Sequence, residues 1–223
     1  MADPPLTPRA AQTRAAIAEA ALALFRERGY EATTMRAIAQ RAGVSAGNAY
    51  YYFSSKQELI QEFYARNQAA HLAACQPVLA AERTLEGRLA GAMRALLGVL
   101  APYHEFAATL YSRAAEPRSP LSPFSPESSP AREAAISLYR EVVDGSSARV
   151  GRELRGRLPE LLWLYSLGII LYWVHDSSPG CQRTQQLIDA TVPAAVRLVA
   201  AARLPVLRTA VTDVLAAIDL VRG

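Results

Sequence analysis

Apolar residues recur at three- and four-residue spacing through almost the whole chain, and no segment alternates apolar with polar side chains as a half-buried strand does. That period points to one fold class, all-α, and turns the reading into a search for helix ends. Thr7 and Pro8 pair a capping hydroxyl with proline at the first helical position. Ile17, Ala20, Ala21, Leu24 and Phe25 then share one face, and Gly29 offers a left-handed stop. A short second helix is expected from about 34 to 42, with Ile38 inward and Arg36 and Arg41 outward. Gly43 breaks it, and Ser45 caps a third through about Tyr52. Ser55, Lys56, Gln57 and Glu58 form a capping box: the Ser55 hydroxyl accepts from the Glu58 N–H, and the carboxylate reaches back. The fourth helix they open should run over about 55–75.

Later helices are expected at about 84–101, 102–115, 130–156, 158–176, 181–203 and 205–221, with Pro102, Pro130, Pro159 and Pro205 marking starts or breaks and Pro193 kinking the helix it falls in. Residues 117–130 differ in composition. Proline stands at every third position from 117 to 126, which favours an extended polyproline II loop between helices.

The 223 residues are 51% hydrophobic and 20% charged, enough to bury a core. Net charge is only +4, so any argument for a nucleic-acid partner rests on where the charges sit. Lys56 is the only lysine among 24 basic residues. The residues after Met1 carry no basic segment followed by an apolar run, and the longest apolar stretch, Leu161 to Val174, is shorter than the roughly 20 residues of a membrane span. Cys75 and Cys181 form no CxxC pair, which fits a reducing cytoplasm. His71, His104 and His175 are widely spaced, with no metal-ligand pattern, nucleophile elbow or phosphate-cradling glycine loop nearby. Neither catalysis nor a cofactor is expected.

Residues 35–53 carry the most information. Two short helices flank a glycine turn, the helix-turn-helix arrangement. Ala39 is small where the helices must pass closely, Gly43 makes the left-handed turn and Val44 plugs the corner. Ala49 and Phe53, four apart, face inward with Ile38 and Ala42. Ala46, Gly47, Asn48, Tyr51 and Tyr52 remain outward, a set suited to a major groove: small residues admit the backbone, Asn48 can donate and accept at a base edge, and tyrosine reaches phosphate. From Ala32 to Gln57 the only charges are Arg36, Arg41 and Lys56. Lys56 stands in the first turn of a helix whose N–H groups already favour an anion.

In order, Phe25 to Tyr30, Thr33 to Ala39, Ala42 to Ser45, Gly47 to Phe53 and Ser55 to Leu59 resemble the DNA-binding domain of the TetR family of transcriptional regulators, over residues 10–63. The resemblance implies an N-terminal three-helix, helix-turn-helix DNA-binding domain at 1–54 and a C-terminal helical ligand-binding and dimerisation domain at 55–223. It also implies a homodimer that binds a palindromic double-stranded DNA operator, usually as a repressor, until a small molecule enters the C-terminal domain. Carried over by position, Thr34, Tyr50, Tyr52 and Lys56 would touch phosphates, and Arg36, Ala46, Gly47, Asn48 and Tyr51 would face bases or their surroundings. Ala46 departs from the longer polar residue of many relatives, and Ala49 from a bulkier one, which suggests a looser seat for the reading helix.

The dimer surface is expected on the helices at about 158–176 and 181–203. In the first, Leu161, Leu164, Tyr165, Leu167, Gly168, Leu171 and Tyr172 fill one face, while Ile169, Ile170, Trp173 and Val174 make the rest apolar too. Effector contacts are sought among Tyr103, His104, Phe106, Tyr111, Arg113, Tyr139, Arg140, Trp163 and His175, an inventory that favours a hydrophobic or aromatic molecule. Two rival readings predict different behaviour: an all-helical enzyme would turn over a substrate and bind no operator, and an interaction protein would use residues 117–130 as a docking peptide.

Overall fold

The computed structural model describes residues 7–116 and 118–202. Every regular element among them is helical. In order they are α1 (Pro8–Arg28), α2 (Met35–Arg41), α3 (Ala46–Tyr52), α4 (Lys56–Ala81), α5 (Leu85–Leu100), α6 (His104–Ala114), α7 (Ser129–Asp144), α8 (Arg152–Val174) and α9 (Gln182–Ala201), with short 3₁₀ turns at Ala101–Tyr103 and Pro179–Cys181. The described residues fall into two compact units, one made of residues 7–67 with 102–132, the other of 68–101 with 133–202.

The first unit is organised by α1. Its inward residues, Ile17, Ala21, Leu24 and Phe25, meet Ile38 and Ala39 of α2, Ala49 of α3, and Leu59, Ile60 and Phe63 of α4 in one apolar cluster. Phe106, Leu110 and Ala114 of α6 belong to the same cluster, as does Leu121. Phe25 stacks on Phe106 with ring centroids 5.9 Å apart, and Phe63 meets Phe106 edge-on at 5.8 Å. Gly29 ends α1 as expected, but at φ 81° and ψ 161°, a conformation almost reserved for glycine rather than the left-handed helical one.

Residues 118–128 correct the expectation of polyproline II. The N–H groups of Ser122, Ser125 and Ser128 donate to the carbonyls of Ser119, Ser122 and Ser125, making three consecutive turns. Polyproline II has no such internal bonds. Each turn has serine first and proline second, the placement that suits a β-turn because proline's φ is already set. Serine hydroxyls brace the turns: Ser119 accepts from the Leu121 N–H and Ser122 from the Phe124 N–H, both at 3.2 Å. Side chains outside the segment then take its carbonyls. Gln61 donates to Pro120 at 3.0 Å, the Tyr64 hydroxyl to Leu121 at 3.0 Å, and Arg132 to Pro123 at 2.8 Å.

In the second unit α5 packs on α9, and α8 on α9. Met93, Leu97, Leu138, Tyr139, Val142, Ile169, Trp173, Ile188 and Val192 are buried there. Arg88 is buried, and among the described residues no carboxylate pairs with it. Its guanidinium donates instead to the carbonyls of Leu79 and Glu82, at the end of α4, and of Glu141 and Val142, at the end of α7. A cation between two helix C-termini meets the negative ends of both dipoles. Burial pulls its pKa down, Arg83 nearby adds to that, and Glu141 offsets part of it.

Helix limits differ from expectation at three places. The fourth helix continues past 75, through Pro77, to Ala81. The helix expected over 130–156 stops at Asp144, and the next begins at Arg152 and runs through Pro159, which was expected to mark a break. Pro193 lies inside α9. The helix expected over 205–221 lies outside the described residues.

Candidate nucleic-acid interface

The turn between α2 and α3 is built from four local contacts. Thr34 caps α2, its hydroxyl accepting from the Ala37 N–H at 3.2 Å. The N–H of Gly43 returns to the Gln40 carbonyl and that of Val44 to the Ala39 carbonyl. Gly43 sits at φ 70°, in the left-handed region. Ser45 then caps α3, accepting from the Asn48 N–H at 3.1 Å. Val44 packs against the core of the unit, as does Ala42.

Periodicity on α3 divides it cleanly. Ala49 and Phe53 are almost wholly buried, while Ala46, Gly47, Asn48, Tyr50 and Tyr51 are exposed. Tyr51 is 80% exposed and Tyr50 beside it 53%. Tyr52 is half-buried and meets the Tyr51 ring edge-on at 5.2 Å. A Cβ built on Gly47 would touch nothing within 4 Å, so that stretch of helix is open to close approach. Ala49 itself is at 0% exposure.

The three charges around α2 and α3 do not act alike. Arg36 is exposed. Arg41 pairs with Glu27 of α1 at 2.6 Å, a hydrogen bond that holds the Glu27 pKa below its ordinary value. A sequence window beginning at Ala32 leaves that carboxylate out. Lys56, at the first position of α4, is half-buried, and its ammonium donates to the Tyr30 carbonyl at 2.7 Å and the Glu31 carbonyl at 3.4 Å. The capping box forms one residue out of register: Ser55 accepts from the Glu58 N–H as expected, but the Glu58 carboxylate bonds the N–H and hydroxyl of Ser54.

The effector candidates fall in both units. Tyr103, His104 and Tyr111 are half-buried in the first, and Phe106 is a core residue there. In the second, Trp163 and Tyr139 are buried, while Arg140 and His175 are exposed. The Arg113 side chain lies outside the described set. A cleft of about 300 Å³ in the first unit is lined by Arg14, Tyr52, Phe53 and Glu62 among others, and by none of these candidates. Among the described residues no group of three His, Cys, Asp or Glu is placed to hold a metal ion, and no helix is long and apolar enough to cross a membrane. Sequence reasoning missed Arg88, whose partners are carbonyls that leave no residue-type signal.

Comparison with known proteins gives two family matches. Residues 17–63 match the family described as bacterial regulatory proteins, tetR family, and residues 88–216 match the Tetracyclin repressor-like C-terminal domain. The HTH-type transcriptional repressor KstR2 of Mycobacterium tuberculosis is 47% identical over 49 residues, 22% of this chain and 24% of that protein. The chain spans about a quarter of the length of the curated relatives it matches. Among solved structures, a TetR transcriptional regulator from Nitrosomonas europaea superposes with TM-score 0.65 at 20% identity, covering 82% of this chain and 98% of that one. FadR of Thermus thermophilus, a repressor in complex with lauroyl-CoA, does so with TM-score 0.55 at 24% identity, covering 78% and 92%.

Proposed function

The chain belongs to the TetR family of transcriptional regulators, and from that membership we propose that it is a homodimeric repressor of a palindromic operator, released by a small hydrophobic or aromatic effector. Residues 1–54 carry DNA recognition in this reading, and residues 55–223 carry effector binding and dimerisation. The protein works as a cytoplasmic regulator and not as an enzyme. The observation that bears most weight is the two-sided α3: Ala49 and Phe53 anchor one side, and Ala46, Gly47, Asn48 and Tyr51 stand exposed on the other. In a major groove, Asn48 and Tyr51 read base edges with Arg36, while Thr34, Tyr50, Tyr52 and Lys56 hold phosphates. A mobility shift on the DNA upstream of its own gene tests this. A discrete complex that competitor DNA of unrelated sequence does not displace supports the reading, and turnover of a substrate without DNA binding supports the enzyme instead.

The exposed face of α8 supports dimerisation. Leu158, Leu162, Ser166, Ile169 and Trp173 are buried, whereas Gly168, Leu171 and Tyr172 are exposed, and a Cβ on Gly168 would meet nothing within 4 Å. Leu198 of α9 is 71% exposed. An apolar, glycine-notched face of this kind suits a second copy of the same helices. Tyr103, His104, Phe106, Tyr111, Arg140, Trp163 and His175 remain the effector candidates. A fatty acyl-CoA, the class of ligand held by the Thermus thermophilus neighbour, is a suitable first compound to test. An effector that weakens DNA binding must itself bind the DNA-bound protein more weakly by the same factor.

A further inference from the structure

Lys56 is held in a way that DNA contact alone does not explain. An ammonium at the first position of α4 meets the positive end of that helix dipole, an unfavourable place for a cation. In this chain its position is fixed from the far side. The Tyr30 and Glu31 carbonyls accept two of its N–H bonds, and the nitrogen lies 4.4 Å above the centre of the Tyr30 ring. Tyr30 is itself fixed, 8% exposed and tilted against Phe25 at 5.2 Å. Its hydroxyl is buried with no hydrogen-bond partner among the described residues, so the phenol oxygen is not what the site uses. What Tyr30 offers is the π face and the backbone carbonyl, both turned to the same ammonium.

We propose that Tyr30 is a positioning residue for Lys56, its ring and carbonyl holding the ammonium so that the third N–H is presented to a DNA phosphate. This rests on the reading that α3 and the start of α4 meet DNA. Without the ring the lysine side chain spreads over many rotamers, most of which carry its charge away from that phosphate, and one solvent-exposed contact does not repay the entropy of collecting them. Here the freedom is already lost in the unbound protein. Tyr30 therefore acts through Lys56 and touches no DNA.

The full chain binding a labelled 25-base-pair duplex of arbitrary sequence, titrated with potassium chloride, tests this. Lys56→Ala is expected to make the slope of log K against log[salt] shallower by about 0.9, one phosphate's worth. Tyr30→Leu is expected to give more than half of that change, Tyr30→Phe none, and the Tyr30→Leu/Lys56→Ala double variant no more than Lys56→Ala alone. Thermal melts certify folding, and Tyr30→Met replaces Tyr30→Leu if the latter melts below the assay temperature. Because the chain has a single lysine, isotope-labelled lysine reports on Lys56 without ambiguity. Its two ε-protons should be resolved in the parent and in Tyr30→Phe, and merge in Tyr30→Leu. A folded Tyr30→Leu protein with the parental slope, or merged ε-protons in the parent, overturns the proposal. A parent that binds no duplex overturns the DNA reading itself, and Lys56→Ala with an unchanged slope overturns the phosphate contact that Tyr30 is held to support.

Discussion

Asn48 and Arg88 show what single residues contribute in each of the two units. Asn48 is exposed on α3, and its side chain is free of the capping bond, which uses only its backbone N–H. Asn48→Ala should lower discrimination at particular base pairs, by about 1–3 kcal/mol for a lost bidentate contact, with little change in affinity for arbitrary DNA. Competition with single-base operator variants measures it. Arg88→Met keeps the apolar stem but removes the guanidinium and strands the carbonyls of Leu79 and Val142, and should cost roughly 3 kcal/mol in urea unfolding. Gly145→Ala should destabilise for the same reason, because its Cβ would lie 2.2 Å from Arg88 Nη2. The exposed face of α3 was legible in sequence because each position there has a local reason: a cap at Ser45, a positive φ at Gly43, a buried methyl at Ala49. Arg88 was not legible, since an arginine that binds carbonyls looks in sequence like one that faces water.

At the scale of elements, the same contrast explains which helix ends were found. Starts set by side chains within three residues, such as Thr7, Thr34, Ser45 and Thr84, can be read directly. The last turn of α7 is held from a distance as well: the Arg88 guanidinium takes the Glu141 and Val142 carbonyls and fills the space beside Gly145, a contact that the periodic pattern does not announce. Glu27 neutralises Arg41 from fourteen residues away and was invisible for the same reason. The serine–proline segment was legible as punctuation but not as turns. Its spacing suits both polyproline II and tandem turns, and Gln61, Tyr64 and Arg132 decide the matter by taking its carbonyls. Leu121, 4% exposed, makes it part of the core of the first unit. Leu121→Ala should therefore cost about 2–5 kcal/mol in thermal or urea unfolding, where an inert loop would lose under about 0.5 kcal/mol.

For the molecule as a whole, the proposed function depends on two copies and two liganded states. Leu171→Asp on the exposed face of α8 should convert a dimer to a monomer in sedimentation equilibrium at micromolar protein, with α8 still folded because Leu162, Ile169 and Trp173 remain buried. Operator affinity should fall with it, since one reading helix covers only a half-site. A parent that sediments as a monomer contradicts the dimer. The central claim is that paired copies of α3 read a symmetric DNA sequence, and selection of bound duplexes from a random pool tests it most directly. The account predicts enrichment of an inverted repeat whose half-site centres lie a whole number of helical turns apart, with base preferences that relax for Asn48→Ala. A pool that stays random after repeated rounds, or that converges on a sequence without two-fold symmetry, contradicts it.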